Sequence, residues 1–201
     1  MIIGCKYWND RDRFYTQENN STETLLKLAG VKSYLETCGS SSVVNACTSV
    51  GADFKYEHLK VQPEDLVTSI LNNMHNYEEL RSYRPNLTPG TIPGNRVPQY
   101  HPYAAKTVFG VQSEFKFDNK FDPEFVLSML RLGCAIGICY KSPGHFTCIV
   151  AYDTEKKVFL TKDSWRSTID DGTNGFLRPI PQKWIDSNIQ NYYIIYHPKE
   201  S

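Results

Sequence analysis

A chain of 201 residues is one sizeable domain's worth of sequence, and at that length roughly 70% of the unfolded surface can be buried without a disulfide or metal staple. Hydrophobic residues at 40% and charged residues at 22% exclude a disordered tail, a collagen and a coiled coil. Lys plus Arg equals Asp plus Glu at 22 each, so no net field exists to hold nucleic acid or an anionic membrane.

The opening stretch, MIIGCKYWNDRDRF, lacks a basic segment followed by an apolar one, and no apolar run approaches the ~20 residues of a membrane span. A cytoplasmic, reduced protein is the expectation, with export by another route left open. No two of the six cysteines are spaced C-x-x-C, so neither a zinc knuckle nor a redox motif is expected. After Gly39 the small and β-branched run SSSVVNACTSV fits helix or strand by pattern alone. Pro63-Glu64-Asp65 before LVTSILNNMH predicts a helix, with proline in its first turn, acids at its positive end and an apolar stripe of Leu66, Ile70, Leu71 and Met74.

The segment from Pro85 to Pro102 holds five of the eleven prolines and predicts an irregular loop at about 83–104, a candidate cleft rim lined by Tyr83, Tyr100 and Tyr103. Asp122-Pro123-Glu124 before FVLSMLRLG predicts a second helix, capped by Asp122 and ended by Gly133. From Cys134 the period changes. CAIGICY, FTCIVAYD, KVFLTKD and YYIIYH are short apolar or alternating runs separated by turn residues, which favours antiparallel strands. Helices first and an antiparallel sheet afterwards is an α+β arrangement, and no polar linker divides the chain, so a single domain over 1–201 is expected.

Three stretches carry candidate chemistry. In Thr37-Cys38-Gly39-Ser40 a cysteine opens a possible helix, where free N–H groups and the macrodipole favour a thiolate. In Gly144-His145-Phe146 a histidine leads a strand, and in Thr161-Lys162-Asp163-Ser164-Trp165 an acid ends the next one. A hairpin joining the two puts His145 and Asp163 on neighbouring strands. Thiol, imidazole and a polar group to orient the imidazole are the parts of nucleophilic catalysis. Ser40, Ser41 and Ser42 read as cap and first-turn residues, Cys47 as a buried thiol, and Lys162 and Arg166 as solvent-facing residues without a role. His58, His75, His101 and His197 stand in no ligand arrangement, so no metal and no cofactor are expected.

Cys-Gly opening a helix, Gly-His before an apolar strand and Asp-Ser-Trp at a strand end together resemble the papain-like cysteine peptidases. Those enzymes carry Asn-Ser-Trp at the third position. The Asp version, with the histidine leading a run that ends in Tyr152-Asp153, is closer to the bacterial double-glycine-peptidase-like branch, whose members include processors of bacteriocin leaders. The resemblance implies a papain-like fold and a Cys38–His145–Asp163 triad acting on a peptide or protein through an acyl-thioenzyme. It also implies an upstream glutamine in the oxyanion hole, for which the match is Gln17 in Tyr15-Thr16-Gln17-Glu18-Asn19. Gln17 lies 21 residues before Cys38, longer than usual, with the helix-like segment LLKLAGVKSYLE between them. Trp165 would shield the Asp163–His145 hydrogen bond from water. The same parts also serve transglutaminase-like acyl transferases and peptidoglycan amidases, and the fold also carries non-catalytic binding modules.

Overall fold

The computed structural model describes residues 1–19, 23, 37–73, 96–116, 121–141, 144–165 and 172–198. The expectations for the segment 25–36, for Met74, His75, Tyr83, Arg166 and for residues 83–95 of the proline-rich stretch lie outside those residues.

Seven strands form one sheet: β1 (Ile2–Gly4), β2 (Ser113–Lys116), β3 (Ala135–Tyr140), β4 (Phe146–Asp153), β5 (Val158–Lys162), β6 (Phe176–Pro181) and β7 (Ile189–Ile195). Their order is β2-β7-β3-β4-β5-β6, every pair antiparallel. β1 pairs Ile2 to Gly4 with Asp153 to Ala151 of β4, continuing the edge that β3 leaves beyond Ile149.

Five α-helices lie among the described residues: α1 (Cys38–Ser49), α2 (Pro63–Asn73), α3 (His101–Phe109), α4 (Pro123–Arg131) and α5 (Gln182–Asn188). α1, α2 and α3 cover one face of the sheet, where Val43, Val44, Val67, Leu71, Ala104 and Val108 meet Ala135, Cys148, Val150 and Tyr193. α4 and α5 cover the other, where Val126, Leu130 and Ile185 meet Ile136, Ile138, Ile149 and Ile194. The α+β reading is therefore correct, and helices stand on both faces of the sheet. That explains why the central strands read as apolar runs: every residue of β3 is buried.

The ambiguous run after Gly39 is helix. From Gly39 to Ser49 α1 is buried, which suits its composition of Gly, Ser, Ala, Val and Thr. Small side chains let the sheet approach closely, and their hydroxyls find partners: Ser42 Oγ donates to Thr147 O at 2.8 Å and lies 3.0 Å from Tyr193 Oη. The helix at 123 begins as the sequence predicts, with Asp122 Oδ1 accepting from the N–H groups of Glu124 and Phe125, and Gly133 follows it at φ 79°.

One sequence expectation is corrected. Residues 98–104 are not loop: a 3₁₀ turn at Pro98–Tyr100 runs into α3, whose first turn holds Pro102. Proline has no N–H to lose there, so its presence starts the helix rather than forbidding it. Tyr100 is buried and so lines no rim, while Tyr103 is half-buried and packs against the core. No helix among the described residues is long and apolar enough to cross a membrane.

Candidate active site

The strand pairing decides what meets. β4 and β5 run antiparallel with Cys148 opposite Lys162. His145 immediately precedes β4 and Asp163 immediately follows β5, so the hairpin brings them side by side at one end of the sheet. His145 Nε2 is 2.6 Å from Asp163 Oδ1, with both side chains almost wholly buried. The N–H of Trp165 also donates to Oδ1, at 3.0 Å, and the Trp165 ring stands edge-on to the imidazole with centroids 5.7 Å apart.

α1 crosses the same end of the sheet and starts at Cys38. Of the six cysteines, five are buried and Cys38 is partly exposed. His145 Nδ1 is buried and no other described side chain bonds it, and besides Asp163 the group that couples to the ring is the Cys38 thiol. Burial pushes the Cys38 thiol up, but the hydrogen bond and positive field of His145, with the N–H groups of Phe146 and Gly39, outweigh it and hold the thiol below its usual value. Burial likewise opposes an imidazolium at His145, yet the hydrogen bonds and charges of Asp163 and Cys38 raise it to about 9. For Asp163, burial is again opposed and outweighed, here by His145, the Trp165 N–H and Arg178, so its carboxyl lies below the usual range. Thiol and imidazole are thus each shifted toward the charged form that the other stabilises. An anionic Asp163 fixes the proton on Nε2 and leaves Nδ1 to exchange with sulfur.

Gln17 reaches this site through Ser164. The Gln17 N–H donates to Ser164 O at 3.3 Å, and Ser164 Oγ donates to Gln17 Oε1 at 3.0 Å. With the amide oxygen committed to a hydroxyl, the NH₂ end of the buried side chain is turned the other way. Two clamps hold the segment that carries Gln17. Asn45 on α1 bonds both backbone groups of Tyr15, accepting from N–H at 2.7 Å and donating to C=O at 2.8 Å. Lys162 Nζ donates to the carbonyls of Tyr7, Asp10 and Arg13 at 3.0–3.2 Å. Lys162 is fully buried, which corrects its expected solvent-facing position.

All four residues expected at the site therefore belong to one neighbourhood. Sequence reasoning left out Ser164, Asn45, Lys162 and Arg178. A signal existed for the last: an arginine inside the apolar strand FLRPIP is buried only if an acid meets it. Arg178 Nη1 donates to Asp163 Oδ2 at 2.6 Å. Among the described residues no group of three or more potential ligands is arranged to hold a metal ion.

Neither a protein-family model nor a curated protein matches the chain. Among solved structures the chain is similar to xylellain, a cysteine protease from Xylella fastidiosa, at 14% identity over 98% of this chain and 86% of that one, with a TM-score of 0.41.

Proposed function

We propose that this chain is a papain-like cysteine peptidase, closest to the double-glycine-peptidase-like branch, that hydrolyses a peptide or amide bond through an acyl-thioenzyme. The observation that carries the reading is a continuous line of interactions. A partly exposed cysteine at a helix N-terminus couples to a histidine whose far nitrogen is bound at 2.6 Å by a buried aspartate.

In this reading the Cys38 thiolate attacks the scissile carbonyl. The oxyanion that forms is met by the Cys38 backbone N–H, one of the donors a first helical turn leaves without an intrahelical partner, and by the Gln17 amide. His145 Nδ1 then delivers its proton to the leaving amine, the amine departs and a thioester remains. Water gives a proton back to Nδ1 as it attacks the thioester, and Cys38 leaves as thiolate. Asp163 stays ionised throughout, holding the ring and stabilising its charged form. Removing a donor such as Gln17 from an oxyanion hole costs about 3 kcal/mol of transition-state stabilisation.

The test is cleavage of a casein or fluorogenic peptide library by the purified protein. Cys38→Ala should lose at least about 10³-fold in rate, as nucleophile removal does elsewhere. Unchanged hydrolysis in that variant would falsify the assignment. Adding an amine acceptor, or replacing peptides by cell-wall fragments, separates a peptidase from an acyl transferase and from a peptidoglycan amidase.

A further inference from the structure

Asp163 is a carboxylate that reaches His145 with only one oxygen; the other is occupied. Arg178 Nη1 donates to Asp163 Oδ2 at 2.6 Å, and Arg178 Nη2 donates to Trp165 O at 3.3 Å. One planar guanidinium thus grips both the side chain of Asp163 and the backbone two residues on, while the Trp165 N–H closes back on Oδ1. Arg178 and Asp163 are each about 95% buried. An unpaired charge of either sign is very costly at such a site, so the two stand or fall together.

The backbone that delivers Arg178 is itself unusual. β5 and β6 pair Thr161 with Arg178 but Lys162 with Phe176, so Leu177 is an extra residue in β6. Leu177 sits at φ 53°, in the left-handed region that costs a leucine about 1 kcal/mol or more. A bulge of this kind turns the next side chain to a new direction, and such bulges concentrate beside active sites. The partner strand end is fixed too. The Asp163 N–H donates to Gly175 O at 2.8 Å, and Gly175, at φ 81°, has no room for a Cβ against the Asp163 carbonyl.

We propose that Arg178 is a positioning residue for the Cys38–His145–Asp163 site: by taking Oδ2 it commits Oδ1 to His145 and keeps the buried site electrically neutral. The formal charges are those of the Cys38 thiolate, the His145 imidazolium, the Asp163 carboxylate and the Arg178 guanidinium, two of each sign. Among the described residues the other ionisable groups facing the site are Tyr140 and Cys139 from β3 and Cys148 from β4, and burial raises all three above the working range, Cys139 and Cys148 to about 12. The proposal rests on the cysteine-peptidase reading.

The experiment reads the pH dependence of Cys38 alkylation by iodoacetamide, located by peptide mass spectrometry, which needs no substrate. In the unaltered protein the rate midpoint should lie below that of a free thiol; a midpoint at about 8.5 overturns the peptidase reading itself. Arg178→Met removes one positive charge, so the site takes up a proton at higher pH, and the midpoint should rise by at least about one unit, a tenfold loss of thiolate on the acid side. Asp163→Asn with Arg178→Met removes one charge of each sign and should bring the midpoint at least half-way back. That double variant also guards against misfolding, because it leaves no unpaired charge inside. Arg178→Lys keeps the charge and should keep the midpoint. A normal depressed midpoint in the unaltered protein that neither Arg178→Met nor the double variant moves, with only thermal stability lowered, would reduce Arg178 to a structural residue.

Discussion

Lys162→Met removes the cation that ties the N-terminal segment to the end of β5. The aliphatic stem is replaced by one of similar length, so packing is nearly kept and the loss is the three hydrogen bonds to Tyr7 O, Asp10 O and Arg13 O. Burial lowers the Lys162 pKa, opposed by nearby Cys148, Cys5 and Asp10, which means the ammonium pays more for dehydration than its surroundings return. The net loss is therefore below the ~1.5–3 kcal/mol usual for each bond to a charged group. Taking about 1 kcal/mol for each lost hydrogen bond gives about 3 kcal/mol, a large share of the ~5–15 kcal/mol that holds a domain together. With a urea slope of roughly 2 kcal/mol per molar, the unfolding midpoint at pH 7 should fall by about 1.5 M. Peptide hydrolysis under native conditions should fall as well, because the tethered segment leads to Gln17. A midpoint within about 0.3 M of the unaltered protein would mean that water replaces the ammonium freely, and the clamp would be incidental.

Asn45→Ala frees Tyr15 from α1 and loosens Gln17 without touching Cys38 or His145, so hydrolysis should drop about tenfold or more while iodoacetamide alkylation of Cys38 is unchanged; equal losses in both assays would place the damage in the nucleophile instead. His145 is raised above its ordinary 6.5 to about 9, so its stabilising charge is complete below about 6.5 and lost as pH climbs through 9, and hydrolysis should decline above pH 9 as the proton for the leaving amine disappears. A rate that keeps rising to pH 10.5 would argue against a thiolate–imidazolium pair. Glu64 is fully buried with neither carboxyl oxygen partnered among the described residues, and burial raises it from 4.5 to about 8. The native state then keeps a proton the unfolded chain releases, and stability should fall by about 1.4 kcal/mol per unit between those values. Glu64→Gln should flatten that slope in urea titrations at pH 5, 6.5 and 8; parallel slopes in both proteins would show Glu64 is not its source.

The histidine and the acid were legible because a two-strand hairpin converts sequence separation into spatial register: apolar strands on either side of one turn leave His145 and Asp163 nowhere to go but together. The cysteine was legible through helix physics, once Gly39 and the serines marked a start. The residues that support them were not. Arg178 reaches Asp163 through a bulge at Leu177, and no periodicity encodes an extra residue in a left-handed conformation. Lys162 read as surface because lysine usually is; its acceptors are carbonyls of an irregular segment 149 to 155 residues earlier, which leaves no pattern to read. β1 and β2, at three and four residues, are too short for an alternation to register, and α3 was hidden by prolines that in fact initiate it. β4 and α4, by contrast, carry their ends in their own residues.

Two buried carboxyls in this chain behave in opposite ways, and the contrast explains why one of them suits a catalytic site. Asp163 is 3% exposed and Glu64 is 0% exposed, so burial alone penalises both anions. Asp163 accepts from His145, from the Trp165 N–H and from Arg178, three donors of which one carries a permanent charge, and it stays ionised. Among the described residues Glu64 finds no side-chain or backbone donor for either oxygen, and its neighbour Asp65 adds charge of the same sign, so Glu64 holds its proton. An imidazolium gains from a fixed anion behind it and little from a neutral acid. The His145 hydrogen bond and charge do most to keep Asp163 ionised, the Trp165 N–H adds to them, and β6, a strand that contributes nothing to the reacting atoms, supplies through Arg178 the permanent positive charge that Glu64 lacks.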